Sequence, residues 1–259
     1  MAKRFATRAL LLFSSAALVF AALLVGAAQE PAAIPVESEA HHHVVLENAY
    51  VRALFVEIPP HEATLFHHHD LPYVSVPPGG ADAMPPRLDA APASSAPYVP
   101  RVGYSAGNFS HAVTNSSDAP MRNVAIELLK PQGMVRNRCA AIVPNQPTDT
   151  CEQKTVDPSN PPKRTPLLET DEILIQSLEL GPNSKIAPAD SRFDSLICGV
   201  SGVVTALGSE TAPDDPALWV RGGLLWLAAR SKTVFTIGPS GGHFIAITFK
   251  DTTRLPDRE

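Results

Sequence analysis

The chain has 259 residues, of which 44% are hydrophobic and 18% are charged, and its formal net charge is −5. A chain of this length and apolar content can bury one large β domain or two small ones. The acidic balance and the lack of a basic cluster argue against a surface for phosphate backbones, so we expect no nucleic-acid partner.

The first 28 residues have the pattern of an export signal. Three basic residues within the first eight precede the uncharged, mostly apolar run 9–25, and the small residues 26–28 follow. This order predicts a signal peptide over 1–28, a periplasmic or secreted protein, and no stable membrane span after cleavage. A retained membrane anchor is the alternative, because 9–28 is about long enough to span a bilayer.

A linker rich in Ala, Pro and Glu is predicted over 29–40, and the triplet His41–His43 follows it. We interpret the triplet as the solvated start of a strand, because side-chain alternation lets only one or two of the three face a common centre. Short strand-like runs broken by turn residues then predict a barrel-like domain over 41–130. These strands are predicted over 44–46, 50–58, 63–69, 72–76, 109–114 and 121–130.

A proline-rich linker with little apolar periodicity is predicted over 131–166. Cys139 and Cys151 flank the loop 140–150 inside it. In an exported protein this spacing favours a disulfide between the two cysteines. Cys198 lies in an apolar run and is predicted to be a buried free thiol.

Strand-like runs resume in a second β-rich domain, predicted over 167–250. Its first run, 173–180, and the turn after it repeat the pattern of 51–58 at an offset of 122 positions, which weakly favours an internal repeat over chance similarity. The strand patterns of 41–130 and 167–250 therefore predict an all-β fold of two barrel-like sandwiches, with sheets that continue across the interface between them. The strands of this domain are predicted over 173–180, 193–200, 202–207, 217–227, 233–237 and 243–250.

Three histidines of the first half form the candidate site. Side chains alternate along a strand, so His67 and His69 share one face and His68 points the opposite way. Two neighbouring imidazoles make a poor hydrophobic surface but a good pair of metal ligands, and His111 on a later strand is the third candidate. The alternative is a polar patch without an ion, which would bury neutral imidazoles unsatisfied.

The order of features in 44–130 resembles the cupin family, and secreted bacterial cupin-domain proteins in particular. The resemblance is carried by the run 47–52, the turn 59–62, the pair His67-x-His69 and the motif His111-x-x-x-Asn115. Two departures stand out: Tyr73 occupies the place of the family's glutamate, and the Gly/Pro/Gly framework before the second-motif histidine is absent. The resemblance extends to 167–250 only as a degenerate second barrel, which implies a bicupin with one inactive half.

The resemblance implies that His67, His69 and His111 converge inside the first barrel and bind one divalent transition metal, Fe, Mn, Ni, Cu or Zn. Without the glutamate the site is expected to be one charge more positive and to favour anionic substrates. Tyr73 is expected either to offer its hydroxyl group near the ligands or to pack in the barrel mouth. Asn115 is expected to hold its turn by side-chain hydrogen bonds to the backbone.

Two functions of different classes remain open at this level. One is a metal-dependent oxygenase that acts on a small organic molecule. The other is a non-catalytic cupin that binds a small ligand or a partner protein. Either function is compatible with an oligomer.

Overall fold

The computed structural model describes residues 32–77, 102–149, 151, 163–186, 192–201, 204–207, 223–229, 234–239 and 241–250. The chain divides into two compact units at Pro31/Ala32, and all of the described structure belongs to the second unit. The predicted signal peptide, 1–28, lies outside the described residues. Within the described ranges, no helix combines the length and apolar character that crossing a membrane requires.

The first half of the described chain consists of strands and one 3₁₀ turn, Val36–Ser38. Five of its strands form one sheet and three short ones form a second sheet. The strands are β1 (Ile34–Pro35), β2 (His42–Glu47), β3 (Val51–Ile58), β4 (His67–His69), β5 (Tyr73–Val76), β6 (Gly103–Ser105), β7 (Phe109–His111) and β8 (Met121–Leu128). The larger sheet has the order β2-β3-β8-β5-β6 and the smaller one β1-β4-β7.

The second half has the same construction, with one sheet of six strands and one of three. Its strands are β9 (Arg136–Asn137), β10 (Lys163–Glu169), β11 (Ile173–Leu180), β12 (Lys185–Ile186), β13 (Ser195–Ser201), β14 (Val204–Leu207), β15 (Leu224–Leu227), β16 (Val234–Ile237) and β17 (Gly242–Phe249). The larger sheet has the order β15-β13-β17-β11-β10-β9 and the smaller one β12-β16-β14.

The two halves repeat each other in detail. The larger sheet of the first half is centred on β3-β8-β5, and that of the second half on β11-β17-β13. Strand β11 begins and ends 122 positions after β3. In the turns that follow, His61 and Asn183 stand at the same offset, and both have a positive φ, 58° and 56°. The predicted all-β architecture of two sandwiches is confirmed.

The two larger sheets pack face to face through a shared core. On β8, Val124 and Ile126 belong to the same buried cluster as Ile245 and Ile247 of β17. The opposite face of β8 packs inside the first half, where Met121 is fully buried. Burying one such side chain contributes roughly 1.5–3 kcal/mol. The expectation that the sheets continue across the interface is wrong, because the described strands of the two halves belong to separate sheets. The apolar outer face of β8 is covered by the larger sheet of the second half as a partner layer.

Two segments predicted as linkers contribute strands. Strand β1 falls within 29–40 and pairs with β4, so that Ile34 lies beside His67. Strand β9 and the start of β10 fall within 131–166 and extend the six-stranded sheet. Pro166 lies at a shift of register between β10 and β11. Such an irregularity tolerates a proline, which cannot donate a hydrogen bond to the sheet.

The Cys139–Cys151 disulfide is present, as predicted. The loop that it closes is organised by Asn137, which is buried. The Asn137 amide donates to two carbonyls of the loop and accepts from two of its backbone amides, at 2.8–3.1 Å. Cys198 is a buried free cysteine, also as predicted.

Asn115 holds two turns together beside the candidate site, as the sequence predicts. Its side chain is buried. The Nδ2 atom donates to the carbonyls of Ile58, Pro59 and Ala119 at 2.8–3.0 Å. The Oδ1 atom accepts from the amide and the hydroxyl group of Ser117 at 3.0 and 2.7 Å. The turn after β3 is therefore tied directly to the turn before β8.

Asn115→Ala removes these five hydrogen bonds at once, although the carbonyls of Pro59 and Ala119 keep donors from Glu62 and Ser117. We expect the free energy of unfolding to fall by about 2–4 kcal/mol, measured by urea denaturation with an unchanged slope. The matched control is Ser116→Ala, because Ser116 is exposed at the neighbouring position. A change within about 0.5 kcal/mol is expected for that control. Equal stabilities of the two variants would contradict this role of Asn115.

Candidate metal centre

The three predicted histidines lie together between β4 and β7. These strands are antiparallel neighbours, and His67 stands directly opposite His111. The ring centroid of His67 is 4.6 Å from that of His111 and 5.2 Å from that of His69. His67 and His69 are 0% and 2% exposed, whereas the side chain of His68 is 28% exposed. The predicted register, with His68 on the opposite face, is therefore confirmed.

A fourth histidine, His42 on β2, joins this cluster. Its ring centroid lies 4.7 Å from that of His67, and it is only 8% exposed. One ring nitrogen from each of His42, His67 and His69 can be chosen so that all three lie within 4.8 Å of one another, and among the described residues no group this close includes the predicted ligand His111. The interpretation of the triplet as a solvated strand start is wrong for His42, and it holds for His43, which is exposed.

The carboxylate of Glu39 explains why His42 points inward. The Glu39 side chain has no exposed area, and its Oε2 accepts a 2.6 Å hydrogen bond from Nδ1 of His42. Its two oxygens also accept from the backbone amide and Nδ1 of His41 and from the amide of Leu65, at 2.9–3.1 Å. Burial alone would raise the pKa of Glu39, but these hydrogen bonds hold it far below its usual range. The buried carboxylate is therefore ionised.

His67 is held in the same way as His42, by an acceptor outside the cluster. Its Nδ1 donates a 2.8 Å hydrogen bond to the carbonyl of Leu65. This fixes the tautomer that leaves a lone pair on Nε2. That Nε2 atom is buried and has no hydrogen-bond partner among the described residues. Burial lowers the pKa of His67 to about 4, so the ring is neutral at pH 7 and able to bind a cation.

Glu127 supplies a carboxylate behind His69. It lies on β8 directly opposite Tyr73. Its Oε1 is 3.9 Å from Nδ1 of His69, an electrostatic contact longer than a hydrogen bond. Its Oε2 accepts a 2.7 Å hydrogen bond from Nε of Arg52. Burial alone would raise the pKa of Glu127, but His69 and Arg52 together keep it below its usual range.

Two aromatic rings fix the plane of His69. Tyr73 stacks on it with centroids 4.5 Å apart and an angle of 24° between the planes. Phe109 is nearly parallel as well, with centroids 5.7 Å apart and an angle of 20°. Tyr73 is also part of the buried core of the first half. Packing is thus the role of Tyr73 that the structure shows.

A cavity of about 910 Å³ adjoins the cluster, lined by His42, His69 and His111 among others. Its walls come from both halves of the chain and from the disulfide loop. None of its described lining residues is Asp, Glu, Lys or Arg. The polar side chains of its lining that concern ligand binding are Ser75, Asn123, Ser177 and His243.

The donor set fits a divalent transition metal. Neutral imidazole nitrogens suit Fe²⁺, Ni²⁺, Cu²⁺ and Zn²⁺. Histidines that bind a metal almost always donate their other ring N–H to a carboxylate or a backbone carbonyl. His42 donates to the carboxylate of Glu39, and His67 donates to the backbone carbonyl of Leu65. The expected excess of positive charge is offset by Glu39, which the sequence alone did not place at the site. Glu127 offsets it less, because its carboxylate is paired with Arg52.

No protein-family model matches the chain, and no curated protein does. Among solved structures, a cupin domain from Bordetella pertussis Tohama I is 24% identical, with 34% of this chain and 92% of that one covered and a TM-score of 0.29. AerE from Microcystis aeruginosa is 11% identical, with 81% and 97% covered and a TM-score of 0.45. Salicylate 1,2-dioxygenase from Pseudaminobacter salicylatoxidans is 12% identical, with 77% and 70% covered and a TM-score of 0.44. One of these similar structures is a cupin domain, the class of protein that the sequence motifs resemble.

Glu39→Gln tests whether the buried carboxylate holds the cluster. An amide has only one oxygen, so its NH₂ group must face either the His42 side or the Leu65 side, where donors already point. We expect the metal-free protein to lose about 2–4 kcal/mol of unfolding free energy in urea at pH 7. The control is Glu62→Gln, because the Glu62 side chain is largely exposed and its carboxylate lies 3.5 Å from the outer nitrogen, Nε2, of His41. That control should change stability by less than about 0.5 kcal/mol, and an equal loss in both would refute the role of Glu39.

Proposed function

We propose that this protein is a metal-dependent oxygenase that binds one divalent transition metal through His42, His67, His69 and His111 and acts on a small organic molecule. The observation that carries the metal-binding part of the proposal is the arrangement around His67, and the oxygenase activity is the reaction that the oxygen-uptake experiment below tests. Its Nδ1 is held from outside, and its neutral, buried Nε2 has no partner among the described residues. Leaving such a nitrogen unpaired in a core is costly, and a metal ion removes that cost.

The neighbouring residues support the same conclusion. Glu39 keeps a proton on Nδ1 of His42, so that its Nε2 also presents a lone pair. A bound metal of this class supplies Lewis-acid or redox chemistry at the wall of the cavity. Phe109 and Tyr73 keep the plane of His69 fixed and exclude water from that side. The chain thus presents preorganised imidazoles beside a space large enough for an organic molecule.

Asn123 is the residue that we expect to orient the substrate. It lines the cavity on β8, and its Oδ1 is buried without a hydrogen-bond partner among the described residues. A buried acceptor of this kind needs a donor. A hydroxyl or amine group of the substrate would provide that donor and so fix the orientation of the molecule relative to the histidines.

Removal of a single ligand should empty the site. We expect His42→Ala, His67→Ala, His69→Ala and His111→Ala each to weaken metal binding by more than about 100-fold, because the remaining imidazoles cannot fix the geometry. The matched controls are His43→Ala and His68→Ala, whose rings point away from the cluster and should keep the metal. Elemental analysis of tag-free protein gives the metal content, and circular dichroism checks the fold. Full metal content in all four variants would exclude the site.

Oxygen uptake by the metal-loaded protein separates an oxygenase from a protein that only binds a ligand. The wild-type protein should consume oxygen with one or more members of a panel of small organic compounds. His67→Ala should consume none, with His43→Ala as the active control. Metal binding without any substrate-dependent uptake would contradict the oxygenase and leave a non-catalytic, ligand-binding cupin.

We also propose that the protein is exported to the periplasm or beyond. The proposal is supported by the signal-like pattern of 1–28 and by the disulfide, which persists in oxidising compartments. Intact-mass measurement of protein from its native compartment should show the loss of residues 1–28 and of the two thiol hydrogens. A full-length mass would contradict cleavage, and two free thiols at Cys139 and Cys151 would contradict an oxidising location.

A further inference from the structure

The second half contributes a polar pair to the cavity that adjoins the histidine cluster. Oγ of Ser177 on β11 is 2.7 Å from Nε2 of His243 on β17. Both residues line the cavity, together with His69 and His111 of the first half. Both are half-buried, so their polar atoms are within reach of a molecule in the cavity. The half without a histidine cluster is therefore part of the same binding space.

The pair can bind an uncharged polar group whichever partner donates. If Nε2 of His243 donates, the hydroxyl group of Ser177 is left to donate to a ligand. If the hydroxyl group donates instead, its oxygen still accepts from a ligand. Burial lowers the pKa of His243, and Glu179, which lies opposite it on β11, opposes that shift only in part. The pair therefore offers hydrogen bonds rather than a full charge at pH 7.

The rest of the cavity lining also favours an uncharged ligand. The cavity walls are chiefly apolar side chains, such as Val102, Ile142 and Val200, and no described lining residue carries a full charge. A charged ligand would lose its hydration there and gain no ion pair from the walls. An apolar molecule gains roughly 25 cal/mol for each Å² that it buries.

We propose that Ser177 and His243 form a second anchor in the cavity, which binds a hydroxyl or carbonyl group of an uncharged, largely apolar ligand. This deepens the proposed function, on which it rests, because it assigns the chemical class of the substrate at the same cavity. It also gives the second half a part in substrate recognition.

The test compares two probes of equal shape on the metal-free full chain at pH 7. 2-Naphthol carries one hydroxyl group, and 2-methylnaphthalene has a methyl group in its place. We expect wild-type protein to bind 2-naphthol more tightly in a fluorescence titration. In the double variant Ser177→Ala/His243→Phe, the affinity for 2-naphthol should fall on the order of fivefold, because one hydrogen bond to the ligand is lost. The affinity for 2-methylnaphthalene should change less than about twofold, since the apolar walls are unaltered.

Two controls make the result specific. Ser75→Ala removes a different hydroxyl group from the lining and should leave the preference for 2-naphthol intact. If the double variant does not fold by circular dichroism, Ser177→Ala alone replaces it with the same expected direction. 2-Naphthoate, which is charged at pH 7, should bind the wild-type protein on the order of tenfold more weakly than 2-naphthol.

The outcomes separate this proposal from the proposed function. A preference for 2-naphthol that survives in the double variant, or that disappears in Ser75→Ala, would overturn the anchor, as would the absence of binding by both neutral probes. Tighter binding of 2-naphthoate would overturn the uncharged class. Metal content is measured separately: a wild-type protein that prefers 2-naphthol but takes up no metal would overturn the proposed function and leave the anchor standing.

Discussion

Burying imidazole rings in a β-sandwich is costly unless their polar nitrogens have partners, and the surroundings of the cluster follow from this requirement. The carboxylate of Glu39 meets it for Nδ1 of His42, and the carbonyl of Leu65 meets it for Nδ1 of His67, whereas Nε2 of His67 has no partner among the described residues. Glu39 can do so only if its own segment is ordered, and the pairing of β1 with β4 helps to order it. The short N-terminal segment is thus a structural part of the site.

The same requirement sets the electrostatics of the site. Glu39 and Glu127 are ionised although both are buried, because donors surround the first and Arg52 pairs with the second. Their negative charges lie behind the imidazoles and not in the cavity, whose described walls carry no full charge. A divalent cation would therefore be partly balanced from the protein side. The cavity is left suited to a neutral molecule.

The repeat explains how one half can hold the histidines while the other shapes the cavity. Strands β3 and β11 are equivalent in position. The turns after them each contain one residue with a left-handed backbone conformation, His61 in the first half and Asn183 in the second. The larger sheets bury each other's outer faces in one core, so each half covers an apolar surface of the other. The disulfide loop, organised by Asn137, adds a further wall.

The sequence alone determined the features that depend on local alternation and turn chemistry. These are the central strands of both halves, the opposed faces of His67 and His68, the disulfide and the turn-holding role of Asn115. Only the tertiary structure brought His42 into the cluster, placed Glu127 behind His69 and made strands of the segments predicted as linkers. These depend on pairing between strands far apart in sequence, which leaves no periodic pattern in the residues themselves. A buried charge such as Glu39 likewise looks like a surface residue until the donors around it are known.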